Sequence, residues 1–387
     1  MSNNSLQPMM PVRHHARLLM RAGLTAVATL VFGATAAAPA VAGGSGGPFL
    51  RPLNTVTTVA STVPANGDQN PYGTVVIRHS EGDLHRGNVL ISNFNNKPNL
   101  QGTGTTLVQV SPDGKVSQFA QIDPAKLPGE CPGGVGLTTA LTVLPGGWVV
   151  VGSLPTTDGT AGTASAGCLL VLDSHGTVRE TIVGDGINGP WDMTSVSHGD
   201  RTELFVTNVL NGTVAAGGTE VDRGTVLRIT LCRHGDQPPE RVATTVIGSG
   251  FGERTDPMAL VIGPTGVGLG HNGTLYVADT LGNRITAIPD AVHRTSDAGT
   301  GRVVTAGNHL NGPLGMAITP RGDILTVNSG DGNIVETTPA GDQVAVRTLD
   351  TSGTPPGAGA LFGLAIDLDR DAVFFVDNAT NQLDVLH

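Results

Sequence analysis

Two carboxyls, Asp192 and Asp256, and three aromatic rings, Tyr72, Trp191 and Phe362, stand at or just before the starts of recurring apolar segments. Rings of this kind could wall a pocket for a small or sugar-like ligand, with the two acids as its few oriented polar points. With only nine Phe, two Trp and two Tyr in 387 residues, three rings at equivalent positions form a pattern. The same rings could instead pack between structural units, where aromatics commonly fill β cores.

Other chemistries find less support. His79, His85, His198 and His271 fall in polar turns, with no pair at metal-ligand spacing on one strand. Asn93, Asn208, Asp279, Asn328 and Asp377 each follow a hydrophobic run, where an Asx side chain caps the next turn. Asp367-Leu368-Asp369-Arg370-Asp371 alternates acids like a calcium loop, but Ala372 and Asn378 occupy the places of its glycine and final acid. Gly43-Gly44-Ser45-Gly46-Gly47 matches a nucleophile elbow and Gly266-Val267-Gly268-Leu269-Gly270 a dinucleotide loop only in letters, since neither has the strand–turn–helix context. Of three cysteines, Cys131 and Cys168 lie in Gly/Pro/Thr-rich segments and are the better pair for a disulfide; Cys232 ends an apolar run and reads as a small buried residue.

The elements that position these residues repeat. Anchors at Gly73, Ala140, Asp192, Pro257, Gly315 and Gly363 each precede a polar turn and a hydrophobic run such as Val149-Val150-Val151 or Val373-Phe374-Phe375-Val376. Glycine is 55 of 387 residues and only 14% are charged, a balance that favours many short strands over long helices. Units of some fifty to seventy residues have room for four strands each, the size of a propeller blade. We expect an all-β, six-bladed β-propeller over 55–387, with blades starting near 70, 135, 187, 254, 311 and 359. Too little chain follows Gly363 for a fourth strand, so the β-branched run within 55–61 is expected to complete the last blade and close the ring.

Gly273-Thr274-Leu275-Tyr276-Val277-Ala278-Asp279-Thr280-Leu281-Gly282-Asn283-Arg284-Ile285 resembles an NHL repeat. Leu310-Asn311-Gly312-Pro313-Leu314-Gly315-Met316-Ala317 resembles the opening of the next, and Ile187-Asn188-Gly189-Pro190-Trp191-Asp192 echoes it. The resemblance implies a six-bladed ring around a central channel, an architecture that carries scaffolds, lyases and lactonases alike. Amidating lyases of this kind place histidines on the loops entering the inner strands, and gluconolactonase-like proteins need a glutamate with Asn and Asp partners. Neither set stands at the anchors here. The sequence therefore favours a module that binds a small-molecule, sugar-like or protein ligand, or a scaffold. A metal-assisted lyase or lactone hydrolase, with a divalent cation in the channel, is the alternative.

Charge and the first residues narrow the partners further. Residues 1–42 combine Arg13, Arg17 and Arg21, the apolar stretch 22–38 and Ala40-Val41-Ala42, the pattern of a signal peptide. No arginine pair marks twin-arginine export, so the general secretory route fits. Residues 43–54 then read as a flexible linker. Without residues 1–42 the chain has 19 basic and 32 acidic residues, and no cationic run that could hold nucleic acid. We expect an exported monomer, periplasmic or secreted, with no stable membrane insertion once the signal is removed.

Overall fold

The computed structural model describes residues 47–387. The expected signal peptide, 1–42, and residues 43–46 of the linker lie outside them. Six four-stranded antiparallel units form a β-propeller. The first comprises β2 (Gln69–Val76), β3 (Val89–Asn95), β4 (Thr106–Val110) and β5 (Val116–Gln121). The second is β6 (Leu137–Leu144), β7 (Trp148–Ser153), β8 (Cys168–Leu172) and β9 (Val178–Ile182). The third is β10 (Gly189–His198), β11 (Arg201–Val209), β12 (Val221–Cys232) and β13 (Glu240–Asp256), extended by β14 (Leu260–Ile262). The fourth is β15 (Pro264–Leu269), β16 (Leu275–Asp279), β17 (Arg284–Ile288) and β18 (Arg302–Ala306). The fifth is β19 (Pro313–Ile318), β20 (Ile324–Asn328), β21 (Asn333–Thr337) and β22 (Gln343–Thr348). The last combines β23 (Leu361–Asp367), β24 (Ala372–Asp377) and β25 (Gln382–Leu386) with β1 (Val56–Ser61), the closing strand expected from the sequence. Among the described residues no helix is long and apolar enough to cross a membrane.

Blade stacking explains the apolar runs. Each blade lies between two others, so its second strand is covered on both faces, and Val149, Val150 and Val151 are all fully buried. Such a strand needs a continuous hydrophobic run rather than alternation. Each innermost strand opens with a bulge; in β23, for example, Leu361 pairs with Asp377 but Leu364 with Phe375. A bulge leaves backbone N–H groups without ladder partners. Hydroxyls at the ends of second strands receive them: the Gly73 N–H donates to Ser92 Oγ at 2.9 Å, and Ser92 Oγ donates on to the Thr138 carbonyl of the next blade at 2.7 Å. Thr207 does the same between the Asp192 N–H and the Thr265 carbonyl.

Two expectations are corrected. The fourth blade starts at Pro264, not near 254, and its anchor is Gly266 rather than Pro257. Residues 254–256 pair back onto 260–262 as a hairpin of the third blade. Gly266 fits the anchor because neighbouring inner strands approach closely there: a Cβ on Gly266 would run into the Leu314 carbonyl, as one on Gly315 would into Phe362 and one on Gly363 into Tyr72. The described part of the 43–54 linker is also packed rather than free. Leu50 is fully buried, Glu336 accepts the Phe49 and Leu50 N–H groups at 2.7 and 2.8 Å, and Arg347 donates to the Leu53 carbonyl at 2.9 Å. These contacts strap the fifth blade to the strand that closes the sixth.

Candidate functional site

The channel has two unlike ends. At the end where the inner strands begin, Tyr72 stacks between Phe362 and Phe94, with ring centres 4.1 and 4.5 Å away, and Trp191 follows at 6.2 Å. All four rings are buried, none more than 8% exposed. Ala259, Leu260 and Val261 of the 254–262 hairpin close over Tyr72, Phe94 and Trp191, leaving a void of about 10 Å³. Burial drives the Tyr72 phenol well above its ordinary range, so it stays un-ionised.

The structure thus brings Tyr72, Trp191 and Phe362 together, but as a plug and not as the wall of an open mouth. Asp256 is not in the channel wall. Its Oδ1 accepts the Met258 and Ala259 N–H groups at 2.9 and 3.2 Å, and its Oδ2 pairs with Arg254 at 2.9 Å, so it caps the hairpin turn that lies over the plug. It was misplaced because the anchor assigned beside it, Pro257, belongs to this insertion.

The opposite end is open. A cavity of about 670 Å³ runs inward from the turns that follow the inner strands. Each blade contributes to its lining: Thr74, Thr139, Asp192, Val267, Gly315 and Gly363 in turn. Farther along the same strands the wall carries Thr142, Thr194, Ser195 and Ser197, and Thr142 Oγ1 meets Ser195 Oγ at 3.0 Å across two blades. Arg78, His79, Glu81 and His271 stand exposed at the rim.

Asp192 is the one candidate from the sequence that lines this funnel, and it is the one acid of the inner wall. It is 8% exposed; its Oδ1 accepts its neighbour's Met193 N–H at 2.8 Å, and its Oδ2 accepts the Val267 N–H of the next blade at 3.1 Å. Burial pushes its carboxyl up to about 8, outweighing the opposing effect of those two amide bonds. Thr139, also in the cavity lining, is 4% exposed, and its Oγ1 is buried with no hydrogen-bond partner. Thr139 and the other wall hydroxyls were not singled out in the sequence, because threonine is an ordinary strand former. The recurrence of Thr74, Thr142 and Thr194 within two residues after three of the blade anchors was the available signal.

A divalent cation does not fit these donors. Among the described residues no three His, Cys, Asp or Glu side chains converge, and both Asp192 oxygens are engaged by backbone amides. Of the strand-end Asx residues, Asp279 and Asp377 cap the following turn, accepting the Gly282 and Thr380 N–H groups, whereas Asn208 accepts the Asn188 and Gly189 N–H groups that lead into its blade, and Asn93 and Asn328 donate to the Thr62 and His309 carbonyls. Asp367 likewise accepts the Asp369 N–H and pairs with Arg370 within its own turn. Cys131 and Cys168 form a disulfide, their Cα atoms 5.4 Å apart, and Cys232 is unpaired.

No family model and no curated protein matches the chain. Solved structures do. A calcium-binding protein, regucalcin, from Agrobacterium tumefaciens is 13% identical over 85% of this chain and 95% of its own, with a TM-score of 0.54. A luciferin-regenerating enzyme is 10% identical over 86% and 94%, at 0.52. A gluconolactonase from Xanthomonas campestris is 15% identical over 86% and 88%, at 0.50. At these identities the likeness establishes the fold.

Proposed function

We propose that the chain binds, and acts on, a small uncharged oxygen-rich molecule such as a sugar lactone in the polar funnel. The observation that carries this reading is the 670 Å³ cavity itself, open at one end, sealed at the other and lined from all six blades. It has the size of a small-molecule site, whereas a scaffold requires no such interior. The names of the similar structures, two of them enzymes, support channel chemistry over scaffolding. The metal-assisted form of that chemistry lacks a donor set here, so the ligand must be held by hydroxyls, backbone and Asp192. We retain NHL-type as the description of the repeat on the strength of the Gly273–Ile285 and Leu310–Ala317 motifs. The same reading makes the protein an exported monomer that does not bind nucleic acid, for which the 1–42 pattern and net acidity are the support.

The test uses glucono-1,5-lactone for turnover and its hydrolysis-resistant lactam for binding. Calorimetric titration of the purified protein with the lactam should give saturable one-to-one binding, and Thr194→Tyr, which fills the funnel, should abolish it. Absence of saturable heat with the wild-type protein would overturn the proposal. Lactone opening above the uncatalysed rate, lost in the same variant, would establish turnover; binding without it would reduce the function to recognition.

A further inference from the structure

We propose that Asp192 determines which ligand the funnel accepts: its carboxyl acts as a neutral acid and donates its O–H to a carbonyl-type oxygen of an uncharged molecule. This rests on the funnel being the ligand site and names the feature that the ligand must carry.

Position comes first. Asp192 follows Trp191, a ring of the plug, on β10, and its carboxyl reaches the next blade to accept the Val267 N–H at 3.1 Å. It lines the cavity at the end nearer the plug.

The surroundings of Asp192 decide its charge. Thr207 of β11 accepts the Asp192 N–H, Val267 of β15 donates to its carboxyl, and the cavity-lining residues of β6, within 139–144, and of β15, within 267–269, do not ionise. The cavity-lining residues of β19 and β23, Gly315 to Ile318 and Gly363 to Ile366, do not ionise either. The charged and titratable groups of the cavity, Arg78, His79, Glu81 and His271, are at the solvent rim. Among the described residues no cation pairs with Asp192. An ionised carboxylate there would be a nearly buried charge held only by two amides, and such a group takes up a proton instead. Each oxygen already accepts one backbone N–H, so the proton has the cavity to point into.

The consequence is selectivity by hydrogen-bond polarity. A carbonyl, lactone or lactam oxygen accepts a hydrogen bond from the Asp192 O–H. An anionic ligand meets no cation in the inner wall, and a cationic one meets a neutral acid. Ionisation of Asp192 removes the donor and sets a lone pair against the ligand oxygen.

The experiment is lactam titration from pH 6 to 10. The wild-type Kd should stay level to about pH 7, then rise roughly tenfold per pH unit above about 8, following loss of one proton. Asp192→Asn cannot ionise; its NH2 replaces the O–H donor but gives up one of the two backbone N–H bonds, so it should weaken binding at pH 7 less than Asp192→Ala does and flatten the profile. Asp192→Ala should weaken it more than tenfold. Glutamine variants of His79 and His271 should leave the midpoint of the wild-type profile in place. A level wild-type profile, or equal losses in the Asn and Ala variants with folding intact, would overturn the assignment while leaving the funnel as the site. Failure of the lactam to bind at pH 6, or binding that survives Thr194→Tyr, would instead overturn the funnel.

Discussion

The plug and the funnel occupy the two ends of one channel, the funnel lined from all six inner strands and the plug built on three of them with Phe94 of β3 and a hairpin, and they solve opposite problems. At the plug, Tyr72, Phe94, Trp191 and Phe362 exclude solvent with stacked rings and the Leu260 hairpin above them. At the funnel, threonines, serines and one acid keep a polar wall against an open space. A propeller ring contributes similar backbone at both ends, so side-chain choice decides which end binds and which holds the ring together. Aromatic residues at a channel end are therefore not by themselves evidence of a ligand pocket.

Mutations at the two ends should separate stability from binding. The largest stability effect belongs to the plug: Trp191→Ala should cost about 3–5 kcal/mol through lost burial and a cavity. In thermal melts this should appear as a drop on the order of 10 °C. A drop under about 2 °C would mean that the ring is not part of the packing. Leu260→Ala, at 2% exposure within the hairpin, should cost about 2–4 kcal/mol by the same mechanism, measured by urea unfolding.

Asp192 links the two regions through pH. Its carboxyl binds a proton more tightly in the folded state, where it is raised to about 8, than in the unfolded chain near 3.8. Its stabilising contribution is therefore full below about pH 4, declines as pH rises, and is lost above about 8. Glu253, buried and raised to about 7, acts in the same direction, so the two must be separated by mutation. Unfolding free energies of wild type and Asp192→Asn should diverge with pH by up to roughly 1 kcal/mol per pH unit within that window. Parallel curves would show that Asp192 is ionised in the fold. The smallest stability effect is expected at Thr194→Tyr in the half-buried funnel wall, within about 0.5 kcal/mol of wild type in the same urea series. A loss of several kcal/mol would make the funnel a structural region like the plug.

Much of this architecture was legible because blade stacking leaves a repeating trace. Runs such as Val149-Val150-Val151 and anchors such as Gly315 and Gly363 answer to two-sided burial and close approach of neighbouring strands, constraints that restrict residue type. The fourth anchor was misread because the 254–262 hairpin interrupts the period and carries its own Pro-Met-Ala-Leu segment, while Gly266 sits nine residues later. Asp192 was recognisable as an ionisable group among apolar anchors. The end of the channel to which it belongs was not, because Trp191 and Asp192, adjacent in sequence, face a plug and a cavity respectively. The wall hydroxyls gave no distinctive sign, since in strands they are compatible with any solvent-facing or bridging role.

The central claim is that the polar end binds and the aromatic end does not. It is tested most directly by lactam titration of Thr194→Tyr beside Trp191→Phe, a substitution that keeps a ring in the plug. The account predicts that Thr194→Tyr melts like wild type and binds nothing, while Trp191→Phe binds within a few-fold of wild type. Binding retained in Thr194→Tyr and lost in a folded Trp191→Phe would contradict it.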